Sequence, residues 1–308
     1  MEMREADVAR ALETCAEEPV HIPGCIQPTG VLLAYGSTTG TISHVSANAE
    51  DFLGTSPEAL IGQNMLNSFG PDLWHGLKNA AIVGGRSPAG TFDLGSGPLD
   101  FHSFESDSQM VVEAEPWADD PHSTIQNLSF LINRVQATDS VQALFQQSSE
   151  LLRSVTGYDR VMIYRFDRDW NGEVVAEARP RSIEPFLGLR FPHWDIPPQA
   201  RAMMLKSDLR FICDVDQTPV PLITEKPALD ISSAFLRGVS PVHMTYLRNI
   251  GAAASLTLSV IIEGKLWGTL SFHHRRPRTP TLNQRQILVG FLRVFETKLN
   301  LLEQQDAL

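Results

Sequence analysis

Three thiols, two adjacent histidines and one carboxylate set among prolines are the residues of this chain whose types and spacing could do chemistry. Cys15 and Cys25 bracket the stretch AEEPVHIPG, and Cys213 is the third cysteine. A cysteine thiolate is a nucleophile and a metal ligand. Three cysteines with no CxxC pair, however, make neither a disulfide framework nor a zinc knuckle. His273 and His274 in FHHRRPR are consecutive on a strand pattern. Strand alternation sends them to opposite faces, so they do not converge on a metal. Asp195 lies in RFPHWDIPPQAR, where Pro192, Pro197 and Pro198 stiffen the backbone. A carboxylate between Trp194 and Ile196 needs a partner or a function; the local reading is an N-cap for a helix over IPPQARAMM. Asp167, Asp169, Asn171 and Gly172 in DRDWNGE imitate the start of a calcium loop. The position that needs a bidentate Glu is Ala178, so a hairpin turn is expected there. GGRSPAG is not GxSxG and GSGPLD does not complete GxGxxG, which leaves no local hydrolase or dinucleotide signature.

The elements that must position these residues fall into two halves. GVLLAYG and GTISHVSAN read as strands joined by STTG, followed by the short helices SPEALIG and GPDLWHGLKNAAIVGG, each closed by glycine. GTFDLG and PLDFHSFESDSQMVVEAEP are two more strand segments, and EPWADDPHS is a polar boundary. Hairpin, small helices and meander is the order of a PAS-like sheet. The second half opens with helices over STIQNLSFLINRVQ and DSVQALFQQSSELLRSVTG, the latter with Asp139 as N-cap and Gly157 as stop. Strands DRVMIYRF and GEVVAEAR follow. In SPVHMTYLRNIG, Ser240 can cap, Pro241 suits the first turn and Gly251 suits the end. ASLTLSVIIEGKLWGTLSFHH is a hairpin turning at Glu263–Gly264. The C-terminal helix carries a wide apolar stripe of Ile287, Phe291, Phe295, Leu299 and Leu302, which is expected to mediate a homodimer. Helices flanking an antiparallel sheet make an α+β domain of the GAF type.

Bulk properties narrow the partners. With 308 residues the chain can hold two cores. Hydrophobic residues at 43% and charged residues at 20% are ordinary for a soluble globular protein. A formal net charge of −11 disfavours nucleic acid. No apolar run is long enough for a membrane span and no signal peptide is visible. A cytoplasmic protein with reduced thiols is expected.

Taken together and in order, the N-terminal Cys before HIPG and IQP, the YRF strand, FP and DIP with QAR, SPVHMTYLRNIG, and LWG followed by HH resemble the photosensory core of a bacteriophytochrome. The resemblance runs from about residue 10 to the C-terminus. It implies a PAS domain over residues 1–122, including an N-terminal extension, and a GAF domain over 123–308. It also implies a figure-of-eight knot, with the segment around Ile26 passing through a GAF loop near residues 210–240. The implied cofactor is biliverdin, and the implied function is red/far-red light sensing by bilin Z/E photoisomerisation.

The resemblance also implies a role for each matching residue. Cys15 matches the attachment cysteine, and the competing position before the GAF histidine is Val242, which favours biliverdin over phycocyanobilin. Arg210 and Arg237 match the propionate partners, with Ser240, Ser255 and Thr257 as helpers. Asp195, through its main-chain carbonyl, and His243 match the residues that hold the pyrrole nitrogens; Ile196 is next to Asp195. His273 matches the partner of the ring D carbonyl. Tyr164, Phe191 and Tyr246 match the aromatic box around the rotating ring. Departures are His193 and Trp194 in place of two small residues, Met204 in place of a ring D tyrosine, and Thr29 in QPTG. Cys25 stands where a small residue is common, either as packing or as a second attachment site. The chain stops before the PHY and output domains of such a protein, as a natural short form or a truncated fragment of the near-infrared fluorescent type. The output kinase or response regulator, the partners of a full-length sensor, lie outside it, and no enzyme activity is expected of it. A cyclic-nucleotide-binding GAF sensor and a bilin-modifying enzyme are the alternatives from other classes.

Overall fold

The computed structural model describes residues 18–118 and 125–306; Cys15 lies outside them. The chain divides into two compact units, one of residues 19–118 with 216–243, the other of residues 125–215 with 244–306.

The first unit is built on an antiparallel sheet. Its order is Cys25–Ile26, Val220–Thr224, Ile42–Ser46, Val31–Gly36, Gln109–Pro116, Pro98–Ser106, Ser87–Asp93. Period-two alternation sends Val31, Leu33, Tyr35, Leu99, Phe101, Val112 and Ala114 to one face, where they form the core with Leu73 and Leu77 of the helix Met65–Val83. That helix is broken where Gly70 takes φ 81° ahead of Pro71. Ser56 caps the short helix Pro57–Leu60, and Asn64 caps Met65–Val83 through the Leu66 N–H at 3.0 Å. The stretch read as one strand over 98–116 is a hairpin, turned at Asp107 with φ 50°. The turn was hidden because serine and aspartate supply it without glycine.

The segment 216–243 belongs to this unit although it follows a long stretch of the second. Val220–Thr224 lies between Cys25–Ile26 and Ile42–Ser46. Farther along, Arg237 bridges Ile26. Ile26 therefore has this excursion on both sides and is fully buried.

The second unit holds an antiparallel sheet in the order Leu209–Ile212, Ala254–Ile262, Lys265–His274, Arg160–Phe166, Gly172–Ala178, Arg190–Phe191. Its hairpin turns at Glu263–Gly264, both with positive φ, as a tight two-residue turn requires. A bulge at Val260/Ile261 interrupts the ladder, and Glu296 of the C-terminal helix accepts from the Ile261 N–H at 2.7 Å. The helix Val141–Thr156 is capped by Ser140, which accepts from Ala143, rather than by Asp139. It ends on Gly157 at φ 67°.

The apolar stripe of the helix Leu282–Asp306 turns inward. Phe291, Phe295 and Leu299 are 0% exposed within this single chain. Phe295 stacks on Phe145 at 6.3 Å. The stripe is a core face and offers no surface to a second copy, so its width says nothing about dimerisation. Among the described residues no helix is long and apolar enough to cross a membrane.

Candidate functional site

The hairpin Ala254–Ile262/Lys265–His274 and the strands beside it sort their side chains strictly by face. Arg210 pairs with Thr257, Thr257 with Ser271, and Ser271 with Met162. Ser255 pairs with His273, and Thr269 with Tyr164. Directly paired residues share a face, as do residues two apart. Arg210, Ser255, Thr257, His273 and Tyr164 therefore all stand on one face of the sheet. The opposite face carries Leu209, Phe211, Leu256, Leu258, Leu270 and Phe272, each at most 1% exposed, and forms the core. A sheet with one apolar face and one face of arginine, hydroxyls, histidine and tyrosine can pack a core on one side and meet a polar ligand on the other.

An aromatic cluster closes one end of that polar face. Tyr164, Met162 and Val174 pack with Phe166, Phe186, Phe191 and Ile196. The Tyr164 ring lies 5.4 Å from Phe166 and 5.8 Å from Phe191. Burial raises the Tyr164 hydroxyl pKa, and Tyr246 and Asp195 add to the shift. Burial likewise pushes Tyr246 up to about 12, with Asp195 again contributing. Both phenols therefore stay protonated and can donate.

Asp195 ends a short 3-10 turn, His193–Asp195, and its N–H donates to the Pro192 carbonyl at 3.0 Å. It is not the helix cap: the helix is Pro198–Lys206, with Pro197 at the cap position and no side-chain bond to it. Two successive prolines shift the start beyond the reach of Asp195. Burial raises the Asp195 pKa. The loop is held by Arg201, which donates to the Ile196 carbonyl at 2.7 Å and the His193 carbonyl at 3.3 Å. The Arg201 guanidinium also lies 4.7 Å over the Trp170 ring. Nothing local in the sequence around QAR points to this role for Arg201. Met204 is half-buried, whereas its neighbour Met203 is the buried methionine of that helix.

Asp167 behaves as a turn residue. Its Oδ1 accepts from the Asp169 and Asn171 N–H groups, both at 2.9 Å. His274 points away from His273, with Nδ1 3.0 Å from Asp159 and its ring 5.9 Å from Tyr158. No group of residues that could hold a metal occurs among the described residues.

The other predicted residues belong to the first unit or to the helix Pro241–Asn249. Arg237 is buried, donates to the Val20 carbonyl at 2.6 Å, and is pushed down to about 10 by burial, with Asp230 opposing. Cys25 is half-buried, and its sulfur faces Gly238 so closely that a Cβ there would lie 2.5 Å away. Ser240 is half-buried and His243 exposed. His243 and Tyr246 are three residues apart on the helix and so share a side of it. The helix ends as the glycine suggested: Gly251 has φ 74°, its N–H reaches Arg248, and the Ala252 N–H reaches Leu247.

Comparison with known proteins bears on this arrangement. The PAS fold family matches residues 15–117, and the GAF domain family matches residues 140–298. A bacteriophytochrome of Xanthomonas campestris pv. campestris is 36% identical over 308 residues, which cover 95% of this chain and 48% of that protein. Cyanobacterial phytochrome B of Nostoc sp. is 33% identical over 290 residues, covering 87% of this chain and 38% of that protein. A bacteriophytochrome of Pseudomonas aeruginosa is 36% identical over 281 residues, again 87% of this chain and 38% of that protein. The chain thus spans less than half the length of these relatives.

Proposed function

This chain belongs to the phytochrome family as a PAS–GAF core, and from that premise we propose that it is a light-sensing module carrying biliverdin as a covalent thioether on Cys15. The observation that carries the reading is the polar sheet face. Five residues named from sequence for bilin contact, Tyr164, Arg210, Ser255, Thr257 and His273, stand on it together.

The donor set fits the group. Two propionates call for cations, and Arg210, flanked by Thr257, and Arg237 supply them. A flat conjugated ring calls for aromatic walls, which Tyr164, Phe191 and Tyr246 provide. Protonated pyrrole nitrogens call for acceptors, which are the Asp195 carbonyl and His243. His273 serves the ring D carbonyl, with Ile196 and Met204 as apolar neighbours. Attachment adds the Cys15 S–H across a vinyl group: the S–C bond forms, the proton goes to the other vinyl carbon, and no oxidant is needed. When bound, the bilin supplies red absorption and Z/E isomerisation. Arg201 keeps the loop of Asp195 fixed, and the phenols of Tyr164 and Tyr246 remain donors at neutral pH. In this reading the segment through Ile26 threads the 216–243 excursion, and the module signals in the dark and light through output domains of a longer protein, as a homodimer in the cytoplasm.

The test is to add biliverdin to the purified chain. A red absorption band and a zinc-fluorescent band on a denaturing gel are expected, with the bilin staying attached to the chain and no altered bilin released. No red band would refute the reading; cyclic-nucleotide binding or turnover of biliverdin would replace it with another.

A further inference from the structure

Glu113 is a carboxylate on the face of the first unit's sheet opposite its core, and it is 1% exposed. Its partners are specific. Arg86 reaches Oε2 with two nitrogens, at 3.1 Å and 2.8 Å. The same oxygen accepts from the Phe235 N–H at 3.2 Å, and Oε1 accepts from the Leu236 N–H at 2.6 Å. The Arg86 guanidinium lies 3.4 Å over the Phe235 ring. A buried ion pair is a poor way to gain stability, because desolvation offsets the attraction. An apolar residue of the same size would not, however, accept from the two successive backbone N–H groups of Phe235 and Leu236.

The consequence runs along the chain. Beyond Phe235 and Leu236, the Leu236 carbonyl accepts from Gln27 at 2.7 Å, Arg237 bridges Ile26, and the Gly238 N–H donates to the Cys25 carbonyl at 2.9 Å. Gly30 allows the approach: a Cβ there would lie 2.8 Å from Leu236 Cδ1. Earlier in the same excursion the Pro227 carbonyl meets His44 Nε2 at 3.1 Å and the Asp230 carbonyl accepts from the Ser106 hydroxyl at 2.7 Å. Glu113, clamped by Arg86, holds this segment at two successive N–H groups just ahead of Arg237 in the chain.

We propose that Glu113, clamped by Arg86, is the positioning residue that sets the register of residues 235–243 and thereby places Arg237 and His243 for the chromophore. The proposal rests on the bilin reading above, and its test separates the two. Hydrogen exchange on the full chain without bilin reads the anchor alone. In Glu113→Ala the Phe235 and Leu236 amides should exchange roughly 10- to 100-fold faster, from the loss of charge-assisted bonds. Val111 and Val112, in the same strand, should be unchanged. Glu113→Gln keeps an acceptor and should fall between, so a failure of the alanine variant to fold does not end the test. Unaltered exchange at Phe235 and Leu236 in both variants would overturn the anchor.

The second arm loads wild type and variants with biliverdin and titrates the red band with alkali. Glu113→Ala should bleach at lower pH than wild type, with Glu113→Gln intermediate. A purely stabilising role would lower melting temperature and yield while leaving the bleaching pH of the folded fraction where it was; that result would overturn the positioning role. If wild type itself binds no biliverdin, the bilin reading and the placement of residues for it fail together, while hydrogen exchange still decides whether Glu113 holds the segment.

Discussion

Gly172→Ala is the smallest change that reaches the aromatic cluster. Gly172 pairs with Phe166 and is diagonal to Tyr164 across neighbouring strands. Its backbone is outside the left-handed region, so alanine adds no φ strain there. A Cβ would lie 1.7 Å from Cζ, 1.9 Å from Oη and 2.0 Å from Cε1 of Tyr164. Ordinary carbon contacts are about 3.5–4.0 Å, so the ring must retreat by roughly 2 Å. Tyr164 is only 8% exposed and has Phe166 and Phe191 beside it. It must therefore swing out of the cluster instead of settling within it. Overpacking of this kind costs about 1–3 kcal/mol, a fall in melting temperature of roughly 2–12 °C for a domain of this size. The assay is a double-mutant cycle with Tyr164→Ala, followed by thermal unfolding without bilin. If the ring is the obstacle, Gly172→Ala is nearly neutral in the Tyr164→Ala background. Additive losses would refute the reasoning. In bilin-loaded protein the same substitution should alter the emission yield, because the box around the rotating ring has opened.

Four further outcomes are expected. Phe291→Glu should give aggregated or unfolded protein by light scattering and circular dichroism, because Phe291 is fully buried in its own domain; a folded monomer would show that the stripe faces outward after all. The Asp195 pKa is raised by burial, so its contribution favours the fold below the unfolded value of about 3.9 and is lost as pH rises through the folded value. Asp195→Asn should therefore gain stability relative to wild type between acid and neutral pH, and parallel melting curves across that range would contradict this. His243→Ala should bleach the red band at lower pH, since a buried cation without its acceptor gives up a proton more readily; an unmoved titration removes His243 from the role. Cys15→Ser should retain some covalent bilin through Cys25, and Cys15→Ser with Cys25→Ser none; complete loss in the single variant would leave Cys25 as the packing partner of Gly238.

Much of the second unit was legible because its signals are local. The Glu263–Gly264 turn, the Gly251 helix stop and the Gly157 stop are each settled by residues a few positions apart, and each stands where expected. LTLSVII and TLSFHH alternate, and that alternation alone separates Thr257, Ser255 and His273 from Leu256 and Phe272. The misreadings are also local. Asp139 and Ser140 are both good caps, and a shift of one residue decides between them. Asp195 lost the capping role because Pro197 and Pro198 move the helix start.

What was not legible depends on distance along the chain. Glu113 and Glu115 lie in QMVVEAEP, whose pattern sends both to one face, and nothing nearby says whether that face meets water. It is covered by residues 235–236, more than a hundred positions later. The excursion 216–243 has no periodicity of its own beyond Val220–Thr224 and is given its course by single partners: Ser43 and His44, Ser106, Glu113, and Cys25 with Ile26. Cys25 illustrates the consequence. From sequence it is a thiol near a proline turn, with chemistry to be guessed. In the fold its sulfur lies against Gly238, the residue after Arg237, and only a residue without a side chain leaves that space. The same contact that makes Cys25 a packing residue brings it next to the arginine predicted to hold a propionate. Packing and reactivity at position 25 therefore have a common structural cause, and the paired cysteine variants measure which of the two the environment favours.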